Sequence, residues 1–154
     1  FRDYGITKVY ITSPNISEIR NASELNVTSE SLLTFPNLFL ESAGIGNTFL
    51  AVGDFNLIID NSKVTVLSNG ISNFYLSGKT KDLTIYFANG DTRFEGKNLI
   101  SENVTILQVS SNDILIHPTK SLKGTIHSVG NVISFNKPPI IEVDVLSKGK
   151  LIFK

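Results

Sequence analysis

The feature that most constrains this chain is a repeated line of sequence. Asn103–Lys120, Ser121–Pro139 and Ile140–Phe153 share one grammar. A β-branched or aliphatic strand (Val104-Thr-Ile106, Thr125-Ile126, Val143-Asp-Val145) runs into a short polar or glycine turn (Ser110–Asp113, Ser128–Asn131, Ser147–Gly149). A second strand follows: Ile114–Ile116, Val132–Phe135, Leu151–Phe153. The first strands recur about every 20 residues, the scale of one solenoid coil. A single coil has too little apolar surface to exclude water. Stacking pairs each backbone edge with the next coil and joins the small cores into one. The expected fold is therefore an all-β, single-stranded β-helix or β-solenoid with roughly 20-residue coils, occupying residues 1–154 as one domain. A β-sandwich of short antiparallel strands is the alternative, kept open by Asn69-Gly70 and Asn89-Gly90, which are hairpin signals.

The same grammar extends upstream. Asn37–Leu40 leads through Ser42–Asn47 to Thr48–Val52, and Phe55–Ile59 leads through Asp60–Ser62 to Val64–Val66. Leu38 and Leu57 stand 19 residues apart, as if one coil apart. Residues 7–35 suggest two or three short strands, with a helical turn at Ser29–Leu33 as the one break. Residues 73–102 exceed the pattern by about ten residues, so a loop insertion within 77–102 is expected, and solenoid insertions often leave from the binding face.

Composition removes several classes of function. Net charge is zero, so nothing draws the chain toward nucleic acid or anionic lipid. The absence of cysteine excludes disulfides, thiolate metal sites and a cysteine nucleophile. No apolar run approaches the roughly 18 residues of a membrane span. The start at Phe1-Arg-Asp, without Met, suggests an exported chain whose leader or lipid anchor has been removed.

No catalytic constellation stands out. His117 and His127 fall on different walls of a solenoid, so neither a metal site nor any cofactor is expected. Asp54, Asp60, Asp82, Asp91, Asp113 and Asp144 read as turn residues that cap their own turns by accepting backbone N–H bonds. Gly44-Ile-Gly46 lacks the third glycine and the helix of a nucleotide fingerprint. Asn15, Asn21, Asn26 and Asn103 each begin Asn-x-Ser/Thr, a match that an Asn- and Ser-rich chain makes by chance. Aromatics are the better clue. Tyr4, Tyr10, Tyr75, Tyr86 and Phe87 flank inward strand residues, and alternation turns some of them outward. Tyr75, Tyr86 and Phe87 are the candidate binding residues, weighed against ordinary ladder packing between coils. Leu151, Ile152 and Phe153, a strand without an evident polar cap, are a candidate edge for homo-oligomerisation.

Leu99, Val104-Thr-Ile106, Ser111-Asn-Asp113, Leu122-Lys-Gly124, Gly130-Asn-Val132, Pro138-Pro139 and Ser147-Lys-Gly149 together resemble the head GIN domain family, described as auto-transporter adhesins and common in exported proteins of Bacteroidetes-type bacteria. The resemblance spans roughly residues 7–154. It departs from the family's Ser-Gly-Ser-Gly turns, since paired glycines survive only at Gly44 and Gly46 and Asn136-Lys137 stands before the terminal prolines. It implies a right-handed β-helix and a cell-surface location, and it supplies no catalytic residue. The expected function is an exported, non-enzymatic, adhesion-like module of the periplasm or cell surface, with a surface protein or glycan as partner. A carbohydrate-active β-helix enzyme and a self-assembling structural module are the alternatives.

Overall fold

The structure is a computed structural model that describes residues 8–43 and 51–154. The expected Thr48–Val52 strand therefore falls largely outside the described residues, as do Tyr4, Gly44 and Gly46. Ten strands form one sheet: β1 (Glu18–Asn21), β2 (Val27–Thr28), β3 (Asn37–Ser42), β4 (Phe55–Ser68), β5 (Asn73–Phe87), β6 (Arg93–Gln108), β7 (Ile114–Ile126), β8 (Val132–Ser134), β9 (Ile140–Val145) and β10 (Leu151–Phe153). Every pairing is parallel. The stack makes a β-solenoid of about 7 turns about 19 residues apart. A sandwich would need antiparallel pairs, so that alternative falls.

The long strands are bent rather than straight. In β4 the buried positions are Phe55, Leu57 and Ile59, then Val64, Val66 and Ser68. The alternation changes phase between Ile59 and Val64, so side chains on both sides of Asp60–Lys63 stay inward only if the chain turns a corner. Each coil thus has a first wall and a second wall. Because hydrogen bonding continues around the corner, β4 to β7 run 13 to 16 residues, longer than the three to five expected. Phe55, Phe74, Phe94, Ile114, Val132 and Leu151 form one inward column on the first wall. Leu38, Val64, Leu83, Val104 and Leu122 form the matching column on the second. The two columns share one core. Phe55 stacks on Phe74 at 4.6 Å between ring centroids, and Phe74 meets Phe87 of the opposite wall at 6.1 Å.

This register corrects three readings. Leu38 pairs with Val64 and not one coil away from Leu57, because Leu38 lies on the second wall and Leu57 on the first. Among residues 8–35 only β1 and β2 are strands, and Ser29–Leu33 is an arc whose Leu33 bridges Ile59 rather than a helical turn. The surplus in 77–102 is not a ten-residue loop. Asn73–Phe87 supplies both walls of one coil and Arg93 opens the next, and the true excess is one bulge in β6 within Gly96–Leu99, which shifts the register against both β5 and β7.

The turns are bound to one another across coils. Asp54 Oδ1 accepts from Asn73 N at 2.8 Å, Asp113 Oδ1 from Asn131 N at 2.9 Å, and Asn131 Oδ1 from Lys150 N at 3.1 Å. Asp54 and Asp113 therefore cap the following coil and not their own turn, as was expected. Asp60, Asp82 and Asp144 lie inside strands. Deeper in the turns, Ser42 and Ser72 hydroxyls meet at 2.6 Å and Ser68 and Thr92 at 2.7 Å, all fully buried. A buried hydroxyl without a partner costs about 1–3 kcal/mol. Thr92→Val removes the partner of Ser68 and the donor to Gly70 O at 3.0 Å. It should therefore lower unfolding free energy by about 1–3 kcal/mol in urea titration. Adding Ser68→Ala should cost less than the sum of the single changes, because both report one bond.

Candidate functional site

The first wall carries a cleft on its outer side. Alternation sets its floor: Phe55, Phe74 and Phe94 point inward, so Asn56, Tyr75 and Glu95 form the next outward row. Ile58 and Ser77 pair one step further along. Tyr75 is 41% exposed and Ile58 48% exposed, whereas Leu57 and Leu76 beside them are buried.

Two departures from regular stacking raise the lips. On one side the chain leaves β2 at Ser29, whose Oγ accepts from Ile58 N at 2.9 Å before the arc returns through Leu33 N to Ile58 O at 2.9 Å. On the other, four residues of β6, Gly96–Leu99, stand where β7 has only Ile116 between the paired Leu115 and His117. Leu99 is buried, so the excess pushes Lys97 and Asn98 outward. Gly96 belongs at this bulge because a Cβ there would overlap the Phe94 ring. The open cleft has a volume of about 570 Å³ and is lined by Thr28, Ser29, Asn56, Ile58, Ser77 and Asn98 as well as Tyr75, Glu95 and Lys97.

The electrostatics of the cleft are mild. Arg93 holds Glu95 through Nε at 2.7 Å and Nη2 at 2.6 Å, both to the same carboxylate oxygen. Oε2 of Glu95 is left without a partner among the described residues. Among the described residues Lys97 is the one cation on the lip, and its carbonyl lies 3.3 Å from His117 Nδ1. Away from the cleft, the hydrogen bond from Arg20 to Glu18, followed by the charges of Glu18 and Glu41, raises the already high pKa of that exposed guanidinium.

The structure separates the residues singled out in the sequence. Tyr75 lies on the first wall. Tyr86 lies on the second, between Leu67 and Leu107, and is 45% exposed. Phe87 is a correction: it is fully buried, because Leu83, Ile85 and Phe87 share the inward phase, and it packs toward Phe74. It presents nothing to a ligand. Tyr10 is exposed in the extended segment before β1. His117 sits in β7 opposite Ile100, and His127 follows that strand's end, so the two are not brought together. Among the described residues no three His, Cys, Asp or Glu side chains converge as metal ligands. Leu151–Phe153 forms β10 and pairs with β8 along one edge, with Lys137 Nζ 5.8 Å from the Phe153 ring centre.

Asn56, Ile58, Ser77, Glu95 and Asn98 were missed by sequence reasoning. Their signal was the phenylalanine column: Phe55, Phe74 and Phe94 at near-constant spacing place the residue after each in one outward row.

The described residues thus form a parallel β-solenoid with a shallow outer cleft and a scaffold of cross-coil turn bonds. Residues 1–138 match the model of the family described as "Putative auto-transporter adhesin, head GIN domain". The chain belongs to that family. Among solved structures it is similar to a crystal structure described as a "putative adhesin" from Bacteroides fragilis, with a TM-score of 0.74 and 23% identity. That likeness takes in 84% of this chain and 56% of the other, and at this identity it shows the shared fold. No curated protein matches the chain. No helix among the described residues is long and apolar enough to cross a membrane.

Proposed function

We propose that this chain is an extracytoplasmic, non-catalytic, adhesion-like module that holds its ligand in the first-wall cleft, and that the rest of the solenoid is scaffold. The observation that carries this reading is the coincidence of three things at one place: the bulged coil, the diverging N-terminal arc and the exposed Tyr75. Family membership supports a location outside the cytoplasm and an adhesive role. A hydrolytic role for the cleft would call for two carboxylates about 5–10 Å apart, and the one that lines it among the described residues, Glu95, is paired to Arg93.

The test fills the cleft without touching the core. Ile58→Arg with Ser77→Arg changes two outward positions and should leave the thermal midpoint nearly unchanged. Attachment of protein-coated beads to cell surfaces should fall to background. Attachment equal to the unaltered chain would move the ligand site elsewhere. Antibody labelling of intact producing cells should be positive, and labelling only after permeabilisation would remove the surface assignment.

A second reading, self-association through β9 and β10, is favoured by one observation. Ile141 and Val145 are exposed although their register partners Leu122 and Ile126 are fully buried core residues. It expects a mass that rises with concentration in light scattering, and a constant monomer mass removes it.

A further inference from the structure

The geometry points to a neutral saccharide as the ligand of the first-wall cleft, with a sugar ring against Tyr75 and its hydroxyls on Asn56, Ser77, Asn98 and the open oxygen of Glu95. The inference rests on the cleft being the ligand site. The aromatic comes first. Tyr75 is 41% exposed in a row where its neighbours Asn56 and Glu95 are polar, so it offers apolar surface flanked by hydrogen-bonding groups and not a continuous greasy patch. That alternation suits a sugar ring, which has C–H faces and a hydroxyl rim. It suits a lipid chain poorly.

The polar groups come next. Among the described residues, the side chains of Asn56, Ser77 and Asn98 make no intramolecular hydrogen bond, whereas Ser72, Asn73, Ser110, Ser111 and Asn131 in the turns are committed to a neighbouring coil. Ser29 Oγ already accepts from Ile58 N, which leaves its proton to donate outward. Glu95 is fixed by Arg93 through a single oxygen, so Oε2 is an oriented acceptor. Amide and hydroxyl groups that donate and accept, beside a carboxylate that accepts, match a polyhydroxylated ligand.

Charge then narrows the class. Among the described residues, Lys97 is the one free cation lining the cleft, and Glu95 brings a carboxylate to the same lip. A site for sulfated, phosphorylated or uronic saccharides would gather several cations or a bidentate arginine, but Arg93 is already engaged by Glu95 and Asn112. A peptide strand is disfavoured for a different reason. Such ligands add to an unpaired sheet edge. Here β4 and β5 pair with each other along the floor, Ile58 N and O are taken by Ser29 Oγ and Leu33 N, and β5 pairs with β6 except at the break between Tyr75 and Ser77, so the floor offers mainly side chains and no open strand edge.

The experiment titrates the full chain with neutral oligosaccharides (gluco- and N-acetylglucosamine types) and with sialylated or uronic ones, by saturation-transfer NMR and calorimetry at low and high salt. Neutral oligosaccharides should bind with little dependence on salt. Tyr75→Ala should weaken binding about tenfold or more, and Tyr75→Phe, which keeps the ring, by no more than about threefold. Tyr86→Ala on the opposite wall should change nothing. Binding confined to acidic saccharides and lost at high salt overturns the inference, as does neutral binding indifferent to Tyr75→Ala. If no saccharide binds while bead attachment still depends on Ile58 and Ser77, the saccharide class is wrong and the cleft survives. If attachment ignores those residues as well, both fall.

Discussion

Phe74→Ala should be among the most destabilising single changes in this chain, lowering unfolding free energy by about 3–5 kcal/mol. The ring is fully buried and stands at the junction of two stacking directions. Along the solenoid axis it lies 4.6 Å from the Phe55 ring at an interplanar angle of 11°. Across the coil it is 6.1 Å from Phe87 on the opposite wall. Truncation therefore removes buried apolar area, leaves a cavity and breaks contacts both between coils and between walls. The parallel ladders of β5 to β4 and β6 keep the backbone from collapsing into the space, so the cavity cost is fully felt. Urea titration followed by circular dichroism measures it. Tyr75→Ala, one residue away but outward, should shift stability by no more than about 1 kcal/mol. A Phe74→Ala loss below 1 kcal/mol would mean that the coil interior repacks, and the two-wall core described above would be wrong.

Much of the fold was legible because solenoid geometry writes itself into sequence twice. The spacing of apolar strands showed the coil, and the polar turns showed where each coil reverses. What misled was the corner. A chain that bends at Asp60–Lys63 flips its alternation, so one continuous β4 looks like two unrelated short strands. That is why Leu38 was matched to Leu57 and why residues 73–102 looked overlong. Counting walls and not strands would have assigned both correctly. The aspartates illustrate a different limit. Asp54 and Asp113 look like local turn caps, and only register reveals that their acceptors serve Asn73 and Asn131 of the next coil. The candidate site was half legible. Tyr75 flanks inward strand residues and alternation turns it outward, but the same logic chooses Phe87, which falls on the inward phase. Alternation decides between inside and outside only once its phase is known, and the phase is set by which column stacks. The lips of the cleft were the hardest to see, since the bulge at Gly96–Leu99 is defined by what β7 lacks opposite it.

Gly124→Ala should be comparably damaging, by about 3 kcal/mol or more, although it adds a single methyl group. Gly124 lies inside β7, paired to Ile106 below and Val143 above, with φ at +128°. An L side chain is strained in that region at a cost of about 1–2 kcal/mol by itself. A Cβ would also overlap the carbonyl oxygen of Ile106. That oxygen belongs to the adjoining coil, so relief requires the second wall to separate there. Separation would stretch the ladder that joins β6 to β7 and loosen β9 stacked beyond it. The effect is thus expected to be local in chemistry and long in reach. Hydrogen exchange should show lost protection spreading from Thr125 and Leu107 into β9, while β4 and β5 stay protected. Gly70→Ala is the control: its Cβ would meet Ala51 O at 3.3 Å without a left-handed backbone, and the change should stay within about 0.5 kcal/mol. If Gly124→Ala melts no earlier than Gly70→Ala, the close stacking of β7 on β6 at this point is wrong. If it melts earlier but protection falls uniformly along the solenoid, coils do not unfold as near-neighbour units, and the independence of the cleft from the distal end would have to be abandoned with them.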